Sequence, residues 1–188
     1  MAAHQPSEVV ILTRNCKATS IPGGQEIELF KGTEVRIFQA LGGTFTVTTL
    51  QGSMVSLDGR DADALGKDIP PEALAAAAVP EGPVDMAWIE KQVWARLKTC
   101  YDPEIPHNIV DLGLVYECKV TEPEAGAFQV EVVMTLTAPG CGMGDYISRD
   151  AERKIAKIPG VKQSTVRVTF DPPWSPAKMN PALRRELY

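Results

Sequence analysis

Along the first sixty residues the apolar positions come in short runs, EVVILTR, IELF, EVRIFQA, TFTVTTL and MVSL, cut by PGG, KG, GG and QG. In TFTVTTL, Phe45 and Val47 share one face and Thr44, Thr46 and Thr48 take the other, the period-two pattern of a half-buried strand. No helical period interrupts these runs. The pattern predicts five short strands and an all-β domain over residues 1–62, a small barrel of SH3-like type. Cys16 falls beside a turn in this reading, with a structural role.

The pattern then changes twice. Residues 63–83 are rich in alanine, proline and acid and lack the apolar spacing that would bury them, so they read as a linker in which ALAAAA can form a helical turn. From Val84 a 3.6-residue period sets in: Met86, Ile89, Val93, Leu97 and Cys100 form one stripe behind Asp85 as N-cap. Pro103 and Pro106 end that helix by restricting Asp102 and Ile105. LVYECKV and FQVEVVMTLT alternate as strands, the second with Phe128, Val130, Val132, Met134 and Leu136 on one face. The first places Cys118 inside as a small apolar residue. Ile147, Ala151, Ile155 and Ile158 repeat at helical spacing, and STVRVTF supplies a last strand. The order helix, strand, strand, helix, strand predicts an α+β domain over 84–175, helices on a small mixed sheet, followed by a C-terminal tail and short helix over 176–188.

Composition narrows the classes of function. A chain of 188 residues with 44% apolar content can bury a core. Its net charge of −5 is concentrated in the middle: residues 61–83 carry one basic and five acidic side chains, whereas 1–60 and 84–188 are close to balance. No basic face emerges, so nucleic acid is not expected as a partner. The opening MAAHQPSEVVIL has no basic region and only a four-residue apolar run, so neither a secretory signal nor a membrane anchor is expected. Four cysteines at wide, irregular spacing and without an export signal fit free thiols in a reducing cytoplasm.

One of those thiols stands apart. In TAPGCGMGDYISRD, Cys141 follows a strand and precedes a helix, where unpaired N–H groups and the helix dipole favour a thiolate. Gly140, Gly142 and Gly144 place no side chain between the backbone and a metal, a sulfide or a substrate. The same spacing also fits a buried cysteine beside glycines that only shape a turn. A phosphate loop is disfavoured, because no Lys-Ser or Lys-Thr follows the last glycine and Asp145 would repel an anion. Asp102 and Glu104 are either turn-shaping residues of a proline-bounded loop or oxygen ligands and tuning charges for Cys141.

Taken together, YDPEIPHNIVDLGLVY, VVMTLTAPGCGMGDYISRD, IPGV and VTFDPPWSP resemble the small assembly domain of the SufT, PaaD and cytosolic iron-sulfur assembly family, over about residues 84–188. The resemblance implies an iron-sulfur cluster assembly domain fold and a role in maturation rather than turnover of a small substrate. It places the family's acidic loop on Asp102, Pro103 and Glu104, its DLGL turn on Asp111 to Leu114, and its threonine and cysteine on Thr137 and Cys141, with Gly140 and Gly142 flanking the thiol.

The implied function is that of a non-enzymatic auxiliary factor that helps pass iron-sulfur clusters to apo-proteins, with Cys141 as a transient ligand. A cluster usually takes four protein thiolates, so one cysteine implies a cluster held in transit and shared between chains of a homodimer, with a partner protein or with a small thiol. Nothing is expected to be bound permanently. The partners implied are iron-sulfur scaffold or carrier proteins and apo-protein targets. Two rival readings remain: a thiol enzyme with Cys141 as nucleophile and His107 or Glu104 as base, and a protein–protein adaptor that binds no metal.

Overall fold

The computed structural model describes residues 8–75, 82, 84–102, 105–138 and 144–187. It divides into two compact units, residues 1–78 and 79–188.

The first unit is all-β up to a short helical end. Its strands β1 (Glu8–Ile11), β2 (Cys16–Ile21), β3 (Glu26–Leu29), β4 (Glu34–Leu41), β5 (Thr44–Thr49) and β6 (Met54–Asp58) form one sheet in the order β1-β4-β5-β6-β2-β3. Neighbouring strands run antiparallel throughout. Five of these strands match the apolar runs in the sequence, and β2 is an addition. Cys16 is its first residue rather than a turn neighbour, and it is buried with Ala18 while Lys17 faces out. The expected all-β domain is present, but β1 and β3 end the strand order and no closed barrel forms among the described residues.

The linker expected from residue 63 also needs correction at its start. Gly59–Leu65 winds into a 3-10 helix behind Asp58, whose carboxylate accepts from the Arg60 N–H, and it buries Ala62, Ala64 and Leu65 in the core with Val47, Val55 and Leu57. Ala62, Ala64 and Leu65 reach that core although Arg60, Asp61 and Asp63 share the same short helix. Arg14 holds the outer side through ion pairs to Asp61 and Asp63. Helix α1 (Pro71–Ala75) carries the first part of the expected helical turn; the rest of ALAAAA lies outside the described residues.

In the second unit, α2 (Met86–Leu97) starts at Asp85, whose carboxylate accepts the Trp88 N–H at 2.7 Å as an N-cap does. Ile89, Val93 and Leu97 are fully buried, whereas Met86, on the first turn, is 48% exposed and does not belong to the apolar stripe expected of it. Cys100 lies three residues past the helix end and is buried. Strands β7 (Val115–Glu124) and β8 (Ala127–Met134) pair antiparallel, and β9 (Val161–Val168) pairs parallel to β8, so the sheet is mixed as expected. A parallel pair needs a crossover, and α3 (Gly144–Ala156) supplies it. Phe128, Val130, Val132 and Met134 of β8 are buried, as are Ile147, Ala151 and Ile155 of α3. Beyond β9 come a 3-10 turn (Pro176–Lys178) and α4 (Pro181–Leu187), with Met179 and Leu183 buried. Among the described residues, no helix is long and apolar enough to cross a membrane.

Candidate functional site

The residues singled out from the sequence fall on two segments of the second unit. One is the loop between α2 and β7, which carries Asp102 and Asp111. The other is the stretch after β8, which carries Thr137. Glu104, Gly140, Cys141 and Gly142 lie outside the described residues.

Asp102 is 3% exposed, an uncommon degree of burial for a carboxylate, which is normally taken out of water only with partners in place. A small antiparallel bridge between Tyr101 and Asn108 folds its loop back on itself. Within it the Asp102 N–H donates to the His107 carbonyl at 3.4 Å, and the Ile109 N–H donates to the Cys100 carbonyl at 2.9 Å. This is the proline-bounded turn read from the sequence, and His107 contributes backbone groups to it.

Asp111 sits at the centre of a tight turn. Asn108 Oδ1 accepts the N–H groups of Val110 and Asp111 at 3.1 and 2.9 Å, and its Nδ2 donates to Asp111 Oδ2 at 2.6 Å. Asn180 supplies the other side, with its backbone N–H donating to the Asp111 carbonyl at 2.8 Å and its Nδ2 to Asp111 Oδ1 at 3.3 Å. Both carboxylate oxygens are therefore engaged in shaping the turn. The Asp111 side chain holds asparagines here.

The turn hands over to the second segment through a backbone hydrogen bond, from the Thr135 N–H to the Leu114 carbonyl at 2.7 Å. Thr135 is fully buried and Leu136 nearly so, and Thr137 is half-buried at the point where the described chain leaves β8. Gly144, the first residue of α3, is buried against Leu136: a Cβ at Gly144 would overlap the end of that leucine. Cys141 is three residues before Gly144 in the chain.

The remaining three cysteines are set apart by their surroundings. Burial pushes the Cys100 thiol up to about 12, against the pull of Lys154. Burial, with help from the charge of Glu90, pushes Cys118 up to about 11. Cys16 is raised by burial and then by Asp61. All three are held as neutral thiols near neutral pH, whereas nucleophiles and metal ligands are thiolates. Among the described residues, no group of three or more His, Cys, Asp and Glu side chains is placed to hold a metal ion.

Comparison with known proteins supplies what the geometry alone does not. Residues 90–168 match the family described as iron-sulfur cluster assembly protein, within the second unit. The chain is similar to an Fe-S protein maturation auxiliary factor of Porphyromonas gingivalis, 42% identical over 98 residues that make up 52% of this chain and 90% of that one. It is also similar to an Fe-S protein maturation auxiliary factor of Staphylococcus aureus, 39% identical over 79 residues, 42% of this chain and 85% of that one. Among solved structures, a domain of unknown function from Bacillus anthracis has 32% sequence identity and a TM-score of 0.48, covering 53% of this chain and 91% of that chain.

Proposed function

Because this chain belongs to the iron-sulfur cluster assembly protein family, we propose that it serves the maturation of Fe-S proteins as an auxiliary factor and that Cys141 holds the cluster in transit. The observation that carries the assignment of the ligand is the state of the other thiols: Cys16, Cys100 and Cys118 are each pushed toward the neutral form, chiefly by burial. Cys141 stands among glycines and three residues before α3, where a helix start favours a thiolate.

The cluster is cargo. One thiolate falls short of the four that usually hold a cluster, so the other ligands come from a second copy of the chain, from a scaffold, carrier or target protein, or from a small thiol. A partly supplied site binds weakly and releases readily, as delivery requires. Gly140 and Gly142 place no side chain between the backbone and the cluster, Thr137 begins the segment that presents it, and Asp102 and Glu104 serve as oxygen ligands or tune Cys141. Asp111 acts one step back by holding the turn. In this role the protein runs no catalytic cycle, and it works in a reducing cytoplasm where Cys141 stays a free thiol.

The test is anaerobic reconstitution with ferrous iron and sulfide, followed by visible absorption, iron and sulfide content, and size-exclusion chromatography. Wild type should take up cluster and Cys141→Ser should not, with equal far-ultraviolet circular dichroism. Cluster retention by Cys141→Ser overturns the assignment. A cluster that travels only with a dimer peak assigns the missing ligands to a second copy.

A further inference from the structure

The outer face of the first sheet carries apolar and charged side chains in an order that complements itself. Val10, Val35 and Val47 turn inward to the core, so Val9 and Ile11 of β1, Glu34 and Arg36 of β4 and Thr48 of β5 lie on the opposite face. The register sets them in two rows across neighbouring strands. One row pairs Val9 with Arg36 and Arg36 with Thr48; the other pairs Ile11 with Glu34 and leads toward Leu50, which follows the Thr49 partner of Val35. Val9 is 48% exposed, Ile11 62% and Leu50 78%. A single exposed aliphatic needs no explanation, whereas a group of them on one face marks a contact surface.

The charges between those aliphatics are unmatched. Elsewhere in the first unit Arg14 pairs with Asp61 and Asp63, Lys17 with Glu26, Arg60 with Asp58 and Lys67 with Glu8. Glu34 and Arg36 have no ion pair or side-chain hydrogen bond among the described residues. They stand two residues apart on one strand and on the same face.

A second copy of this face can be laid over the first about a two-fold axis that crosses β4 at the level of Val35. That operation puts Glu34 over Arg36 of the second copy and Arg36 over its Glu34. It also sets Ile11 over Val9 of the second copy, apolar against apolar, and Leu50 over its Thr48. Each charge meets its opposite, as an isologous interface requires of one patch used twice. A partner of other make-up would have to reproduce the same alternation, and the chain already carries it. We infer that the outer face of β1, β4 and β5 is a homodimer interface, with a second copy of this chain packed sheet on sheet across it.

This goes beyond the maturation role and does not depend on which residue binds the cluster, so the test uses the full chain without iron or sulfide. Sedimentation velocity and light scattering across a dilution series should give wild type the mass of two chains. Arg36→Glu sets acid against acid across the axis, and Glu34→Arg sets base against base. Each should raise the dimer Kd by roughly a hundredfold, since like charges placed opposite one another cost several kcal/mol. Their melting temperatures should stay near wild type, because Arg36 is exposed and Glu34 only half-buried.

Mixing the two variants then identifies the occupant. One face carries two acids and the other two bases, so an equimolar mixture should recover a dimer with one copy of each. Ile11→Lys, which leaves both charges in place, should weaken the wild-type dimer independently. A wild-type chain that stays monomeric overturns the inference. So does a mixture that stays monomeric with both variants folded, and so does a dimer that survives either charge reversal unchanged, since the copies would then meet elsewhere.

Discussion

Lys154 of α3 donates to the Thr99 carbonyl, 2.8 Å away just past the end of α2, while also pairing with Asp150 one turn back at 2.9 Å. Burial works against its charge, and the Asp150 carboxylate beside it more than offsets that, so the ammonium titrates above its ordinary range. The pair ties α3 to the end of α2, and both side chains are largely buried.

Lys154→Met should therefore cost about 3 kcal/mol, because it removes the closer of the two cations paired with the largely buried Asp150 and leaves only Arg153 at 3.4 Å. The sign of the pH dependence follows from the raised folded-state value. The stability from Lys154 is fully present below the unfolded value of about 10.4 and is lost as pH rises above it. Urea unfolding at pH 7 and at pH 11 should show the gap between wild type and variant narrowing at the higher pH. A gap that widens contradicts the raised value.

Cys100 gives a second alkaline signature at lower pH. Its thiol is buried, donates to the Arg96 carbonyl at 3.5 Å and is pushed up to about 12. The stability it contributes is present below the unfolded value of about 8.5 and drains away as pH rises from there toward 12. Cys100→Ala should cost about 1 kcal/mol at pH 7, as a small core truncation, and should flatten the decline of stability between pH 8.5 and 10. Cys118, only half-buried, should cost less on the same substitution. Denaturant midpoints across that pH range decide both points.

Leu65→Ala should destabilise the first unit by about 3 kcal/mol, since Leu65 is 2% exposed and shares a core with Val55 and Leu57. Residues 59–65 should likewise resist limited proteolysis in the wild type, as a packed 3-10 helix does, with cuts appearing there only in the variant. Mass spectrometry of the fragments reads this directly. A cut within 59–65 in the wild type would place those residues outside the core.

These cases show what periodicity could and could not convey. The buried face of β8 was legible because Phe128, Val130, Val132 and Met134 repeat every second residue over a strand long enough to count, and α3 was legible for the same reason at its own period. The 3-10 helix was hidden because one short turn with three charges has no period to detect. Strand β2 left only the trace of small Cys16 and Ala18 alternating with Lys17 and Thr19. Around the site, the proline-bounded loop was legible as turn chemistry, and the Asp111 turn only through the family resemblance. The grip of Trp174 and Asn180 on that turn was not, because it acts largely through the carbonyls of Leu112 and Asp111, and every residue carries a carbonyl.

Gly113→Ala should be among the most damaging single substitutions in the second unit. It forces a side chain into a left-handed backbone at φ of +66° and into the Lys178 carbonyl at once. A loss of about 2 kcal/mol or more is expected from the strained backbone alone. Truncation of the tail before Trp174 should relieve the overlap but not the backbone strain. The truncated alanine variant should therefore lose less, relative to truncated wild type, than the full-length pair does. Equal losses in both backgrounds would remove the tail from the account.

The last prediction concerns the order in which the four thiols react. Alkylation rate follows the thiolate fraction and access to the sulfur. Cys100 is 1% exposed with its thiol pushed up to about 12, Cys118 is half-buried at about 11, and Cys16 is 5% exposed and raised by burial. At pH 7.5 each of these presents little thiolate to a reagent. Cys141, among glycines before α3, should label first with iodoacetamide, and peptide mass spectrometry over a time course should show its adduct well before any other. Cys118 should follow, because it is only partly buried, and Cys100 should label only on the timescale of unfolding. If Cys118 or Cys16 labels ahead of Cys141, the thiol chosen as cluster ligand is less reactive than one held neutral by burial, and the role proposed for Cys141 falls with it.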